Sequence, residues 1–226
     1  ENKDFNGTIS FIITGDEEAD SVNGVKKVVK WLKENNIRID GSIATESSSE
    51  KIIGDQIKVG RKGAVDVQVE IIGKQGHAAY PQLAQNPLHC LSKVISFFDD
   101  QKLDDGAEYF EPSTLQFTQI NLNNKAKNVI PEKLITVGDM RFNDNWDQEK
   151  IQNYFDEHLT KICSENNCTY KLKLTFRGMP FQSFDNPFTK HCIKAIKDVT
   201  GIEASQDTGG GTSDARFMQE VCPVFE

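Results

Sequence analysis

"AVDVQVEIIG", residues 64–73, sets apolar Val65, Val67, Val69 and Ile71 against polar Asp66, Gln68 and Glu70. A period of two is that of a strand with one face on a core and the other toward water. Outward from it, residues 86–100 form an amphipathic helix with Pro87 at a favoured first-turn position. "STLQFTQINL" (113–122) and "KLITVGDMRF" (133–142) alternate again, separated by the turn-rich "NNKAKNVIPE". Residues 147–166 read as a second helix, and "CTYKLKLTF" (168–176) as a final strand. The order β-α-β-β-α-β is the ferredoxin-like α+β pattern. It occupies residues 63–176 and reads as an inserted domain.

The flanks, 1–62 and 177–226, have α/β character. "GTISFIIT" (7–14) is a continuous apolar run, as expected of a buried parallel strand. Residues 21–35 repeat Val22, Val25, Val28, Val29 and Leu32 at helical spacing, and "GSIATES" (41–47) reads as the next strand. A strand–helix–strand unit implies a parallel sheet, whose ligands sit at the carboxyl ends of the strands. The run Asp16-Glu17-Glu18 and the lone Glu46 fall at those ends. Residues 186–200 predict a helix with Phe188, Cys192, Ile193 and Ile196 on one face. A Gly-rich loop, "DTGGGTSDARF" (207–217), and a strand, "VCPVFE", follow.

A net charge of −8 over 226 residues argues against nucleic acid or an acidic membrane surface as partner. No apolar run approaches the roughly 20 residues of a membrane span. The five cysteines are odd in number and contain no C-x-x-C pair, which favours a reducing cytoplasm over a disulfide framework. The Gly-rich loop lacks the G-x-x-x-x-G-K-[ST] pattern, so a nucleotide-phosphate reading is weak.

"FIITGDEEAD", "ATESSSEKIIGD", "GRKGAVDVQVEIIGKQGHAAYPQLAQNPLH", "NVIP", "DMRF" and "TGGGTSDARF" occur in one order. Together they resemble the dinuclear zinc amidohydrolases of the metallopeptidase M20 group. The resemblance implies a zinc-peptidase-like catalytic domain, present in part, with the 63–176 segment as an inserted dimerisation domain. It implies two zinc ions per full-length subunit, a homodimer, and a small N-acyl amino acid as substrate.

Residue by residue, the resemblance makes Glu18 a ligand of one zinc and Glu46 of the other. Glu17 becomes the general base, and His77 reaches a partner subunit's site to stabilise the oxyanion. Asn128 would donate to a substrate carbonyl or carboxylate. Arg61 and Arg141 would read carboxylates through guanidinium forks. Gly210, Gly211, Thr212 and Ser213 would seat the substrate's carboxylate end, with Asp214 capping or bracing the loop. Taken without the resemblance, the acidic run is a solvated turn, His77 a surface residue, Asn128 a turn residue and Arg61 part of a structural ion pair.

This chain departs from the group at two places: Thr45 and Ser47 flank Glu46 where Gly and Pro are more usual, and Ala215 stands in place of Gly. The group's upstream His and bridging Asp, and its His after the last strand, have no match here. His77, His89, His158 and His191 lie in other contexts. A fragment that binds zinc weakly and is inactive by itself is therefore expected. An amide hydrolase and a non-catalytic dimerisation or binding module both stay open at this point.

Overall fold

The computed structural model describes residues 6–15, 17 and 22–226. In chain order, the elements are α1 (Val25–Glu34), β1 (Ser42–Ile43), β2 (Gln56–Lys58), β3 (Gly60–Arg61), β4 (Gly63–Ile72) and β5 (Gly76–His77). Then come α2 (Pro87–Asp99), β6 (Thr114–Asn121), β7 (Val129–Ile130), β8 (Lys133–Phe142), α3 (Gln148–Glu165) and β9 (Thr169–Gly178). The last are β10 (Phe181–Gln182), α4 (Pro187–Thr200), β11 (Ser205–Asp207), α5 (Ala215–Met218) and β12 (Val224–Phe225). The chain divides into two compact units. One is 60–182 with 206–212; the other is the segment up to residue 59 with 183–205 and 213–226.

The first unit named carries the βαββαβ order. Its sheet runs β6-β8-β4-β9 with antiparallel neighbours throughout. The period-two pattern places Val65, Val67, Val69 and Ile71 of β4 on the covered face, beside Leu134, Met140 and Phe142 of β8. Helix α2 lays Cys90, Leu91, Val94 and Phe98 on that face, and α3 adds Ile151, Phe155, Leu159 and Ile162. Each large side chain sealed there contributes roughly 1.5–3 kcal/mol. Both helices start on side-chain caps, at the residues where the sequence reading begins them. Asn86 Oδ1 accepts from Leu88 N at 3.1 Å, and Asp147 Oδ1 accepts from Lys150 N at 2.8 Å.

The other face of the sheet is polar and internally neutralised. Asp66 and Asp139 lie directly opposite in the β4–β8 register, a repulsive placement by itself. Arg177 on β9 answers it, reaching Asp66 at 3.1 Å and also Asp139. Burial tends to raise Asp139, but the bonds from Arg141 and Arg177 outweigh it and hold its carboxyl below the ordinary range. Further along, Glu70 takes Lys133 at 2.5 Å and Lys171 at 3.3 Å.

A third polar cluster sits where the loop after α2 meets the end of β8. Asp104 accepts from Gly106 N (2.8 Å), Ser113 N (3.2 Å), Asn143 Nδ2 (2.7 Å) and Trp146 Nε1 (2.7 Å). Burial works against the charge, yet the Ser113 side chain, the Trp146 indole and the Gly106 and Ser113 amides draw Asp104 down to about 2.

In the other unit, α1 buries Val25, Val29 and Leu32, as the spacing predicts, while Val22 is 61% exposed and precedes the helix. Gly24, at φ 71°, makes the turn into α1. Strand β1 pairs in parallel with β12, Ser42 opposite Val224 and Ile43 opposite Phe225; this is a parallel pair, but not the strand–helix–strand unit expected over residues 7–47. Helix α4 opens on Asn186, whose Oδ1 accepts from Phe188 N at 2.8 Å, and closes on left-handed Gly201. Its apolar face meets Ile57, Val59, Ala204 and Phe225.

Two strand expectations are corrected. "GTISFIIT" is not a buried strand: Ile9, Phe11 and Ile13 are 70%, 87% and 94% exposed, and no described residue pairs with it. An apolar run becomes a buried strand only where neighbours supply backbone partners and a covering face, and the described residues offer neither. "GSIATES" is a strand only over Ser42–Ile43, the part that β12 can reach.

Candidate functional site

The short β5–β7 ladder brings His77 and Asn128 together. Gly76 pairs with Ile130 and His77 with Val129, and Ala78 N donates to Asn128 O at 2.9 Å. A turn closed by Tyr80 N on His77 O at 2.9 Å presents the imidazole outward. His77 and Asn128 are both exposed. Their side chains meet at 3.4 Å between Nε2 and Nδ2, and Ala79 N donates to His77 Nδ1 at 3.1 Å. The Tyr80 ring stands 5.8 Å from the imidazole, centroid to centroid. Two polar side chains 51 residues apart in sequence thus share one exposed corner.

A second grouping joins Arg61 to the Gly-rich loop. Strand β3 pairs with β10, Arg61 opposite Phe181, and leaves Arg61 only 8% exposed. A guanidinium so buried is costly unless partnered. Its Nη1 donates to the Gly209 carbonyl. Gly210 follows at φ 96°, and a Cβ there would lie 2.5 Å from Arg61 Nη1. The backbone angle favours glycine there, and an added Cβ would also oblige the end of the Arg61 side chain to shift. Thr208 Oγ1 donates to Tyr109 O at 2.7 Å and fixes the loop's entry. Gly211 is exposed and Thr212 half-buried. An arginine set against a glycine loop suits an anion.

Ser213, at the loop's end, is buried, and its hydroxyl donates to Glu226, itself 4% exposed. The same oxygen accepts from Ala215 N at 3.2 Å, so the side chain that caps α5 is Ser213. Asp214, expected to cap or brace the loop, makes no side-chain cap bond at α5; the Ser213 oxygen, two residues before the amide, makes that bond. Glu226 was not singled out from sequence. Its only signal is an acid ending an apolar strand, which looks like any strand-terminal charge.

Arg141 lies on the polar face of the sheet, half-buried, with Nε 2.6 Å and Nη2 3.1 Å from the Asp139 carboxylate. Its fork is thus engaged by a neighbour on its own strand. Glu17 is half-buried in a turn and Glu46 is exposed. Asp16 and Glu18 lie outside the described residues. Among the described residues, no group of three or more His, Cys, Asp or Glu side chains could hold a metal ion. The donors present do not by themselves fit a closed zinc centre, which takes three or four protein ligands.

Residues 59–167 match the peptidase dimerisation domain of the M20 group. The chain is similar throughout to succinyl-diaminopimelate desuccinylases. It is 38% identical to that of Pelagibacter ubique (strain HTCC1062), over 100% of this chain and 59% of the relative. It is 38% identical to that of Orientia tsutsugamushi (strain Ikeda), over 100% and 57%, and 39% identical to that of Ehrlichia canis (strain Jake), over 98% and 57%. The chain therefore spans less than two thirds of these relatives. Its fold is similar to part of a tripeptidase from Staphylococcus aureus (TM-score 0.69, 22% identity, 87% of this chain and 50% of that one). It is similar also to part of the aminopeptidase PepT of Bacillus cereus (0.70, 16%, 88% and 52%).

Proposed function

From this kinship with the succinyl-diaminopimelate desuccinylases, we propose that the protein is part of a metal-dependent amide hydrolase. Its substrate is N-succinyl-LL-2,6-diaminopimelate, and its products are succinate and LL-diaminopimelate for lysine and cell-wall synthesis in the cytoplasm. The observation that carries the reading is the corner where the β5–β7 ladder sets His77 and Asn128 side by side. Amide hydrolysis builds negative charge on the carbonyl oxygen, and positioned donors lower that barrier by a few kcal/mol.

In this reading, Glu17 accepts the proton of the attacking water and returns it to the leaving amine. His77 of a second subunit donates to the oxyanion, and Asn128 donates beside it. Arg61 and the loop residues Gly210, Gly211 and Thr212 receive a substrate carboxylate; Ser213 is a weaker candidate, because it is buried and its hydroxyl is given to Glu226. Arg141 is the weaker member of this set, because Asp139 already holds its fork. Zinc is the proposed metal, two ions per full-length subunit, with Glu18 and Glu46 as one ligand each. When bound, zinc supplies a polarised, acidified water.

The subunits are proposed to pair through the inserted domain. Strand β6 is an edge of its sheet, and Ile120 on it is 55% exposed. An unpaired edge of this kind is a template for a second copy. Sedimentation of the full-length protein at micromolar concentration should show a dimer, and a monomer alone would refute the pairing.

The activity is tested with the zinc-loaded full-length protein on a panel of N-succinyl, N-acetyl and longer N-acyl amino acids. Hydrolysis should be selective for the succinylated diamino diacid. Preference for an acetylated substrate would reassign it to a sibling deacylase such as an acetylornithine deacetylase or an aminoacylase. No hydrolysis of any member would leave a non-catalytic dimerisation module.

A further inference from the structure

The two ring nitrogens of His77 face different groups. Nδ1 lies 3.1 Å from the backbone nitrogen of Ala79, which can only donate. A ring nitrogen facing an N–H must offer its lone pair, so the neutral imidazole carries its hydrogen on Nε2. Nε2 in turn lies 3.4 Å from the side-chain amide of Asn128, whose oxygen and nitrogen exchange by a half-turn. With its oxygen turned in, that amide accepts from Nε2–H; with its nitrogen turned in, the two N–H groups can share one incoming oxygen.

We propose that the Ala79 backbone amide is a positioning group that locks His77 in the Nε2–H tautomer, so that His77 and Asn128 form a two-donor clamp for a single carbonyl or anionic oxygen. The His77 half of the clamp is set before any ligand arrives, and an incoming oxygen turns the Asn128 amide to complete it. The turn closed on His77 O holds Ala79 beside Nδ1, and the β5–β7 ladder fixes the spacing to Asn128. No side chain is spent on orienting the ring: a backbone amide two residues along does it. The inference rests on the proposed hydrolase only for the identity of the oxygen received; the tautomer lock stands on the geometry alone.

The lock is tested on the deuterated full chain with nitrogen-15 in histidine and alanine. A through-hydrogen-bond coupling between Ala79 N and His77 Nδ1, with the two-bond pattern of an Nε2–H imidazole, is the expected result at a pH where His77 is neutral. An Nδ1–H pattern, or absence of the coupling with Ala79 N resolved, overturns the lock. The clamp is tested by turnover of the N-succinyl substrate. Asn128→Ala removes one donor, whereas Asn128→Asp sets an acceptor against Nε2–H and repels the oxyanion. Asn128→Asp should therefore lower kcat at least 10-fold further than Asn128→Ala, with KM changing less than kcat. Equal losses, or a milder loss for Asp, overturn the clamp. Failure of the parent enzyme to turn over any N-acyl substrate would refute the hydrolase reading separately, with the tautomer result untouched.

Discussion

Asp104→Asn changes one atom at the centre of the cluster that ties the loop after α2 to the end of β8. The carboxylate accepts four hydrogen bonds there, from Gly106 N, Ser113 N, Asn143 Nδ2 and Trp146 Nε1. An amide has one acceptor oxygen, so its NH₂ must face either the indole N–H or the Asn143 amide. Hydrogen bonds to a charged group are worth about 1.5–3 kcal/mol each, and a donor set against a donor leaves both unpaired. The drop of Asp104 from 3.8 to about 2 expresses the same hydrogen bonds as a free energy. At about 1.4 kcal/mol per unit it corresponds to roughly 2.5 kcal/mol, which solvent at the rim reduces to about 1–2. Adding the donor conflict, Asp104→Asn should destabilise its unit by about 2–4 kcal/mol.

The assay is urea unfolding of the full chain in a Trp31→Phe background, so that Trp146, whose indole is one of the four donors, reports alone. The sign of the pH dependence follows from the depressed folded value. The carboxylate's contribution is complete above the unfolded value near 3.9 and is lost as pH falls through about 2. The parent should therefore lose stability between about pH 4 and pH 2 more steeply than the variant. A variant within about 0.5 kcal/mol of the parent, with the same acid limb, would refute the cluster as a stabilising element.

The other predictions concern the proposed site and the fold that holds it. In the full-length enzyme, Glu17→Gln should lower kcat by about 100-fold or more with metal content kept, as loss of a general base requires. Glu18→Gln should instead lower zinc content, measured after dialysis, and the reverse pattern would exchange the two roles. Gly210→Ala, at φ 96° and 2.5 Å from the Arg61 guanidinium, should cost about 1–3 kcal/mol in urea unfolding. An unchanged midpoint would show that residue 210 does not hold the positive φ described. Phe155→Ala, in a fully buried position between α3 and the sheet, should cost about 3–5 kcal/mol by the same measurement, and less than 1 would contradict the packing described.

What was legible in the sequence was whatever local chemistry decides. The period-two runs of β4 and β8, the helix starts at residues 86, 147 and 186, and Pro87 in the first turn of α2 all reflect preferences that act over a few residues, so pattern alone located them. The motif order also pointed to the right relatives, because it is a property of the chain and not of its packing.

Tertiary structure decided the rest, for the reason that each remaining question is about a partner. "GTISFIIT" has the composition of a buried strand, yet burial depends on a neighbour that composition cannot supply. Arg141 and Arg61 are indistinguishable as guanidiniums. The fold hands one to Asp139 on its own strand and sets the other against a glycine loop nearly 150 residues away. The orientation of His77 rests on the amide of Ala79, and a backbone N–H is the same in every residue but proline, so no sequence could have announced it.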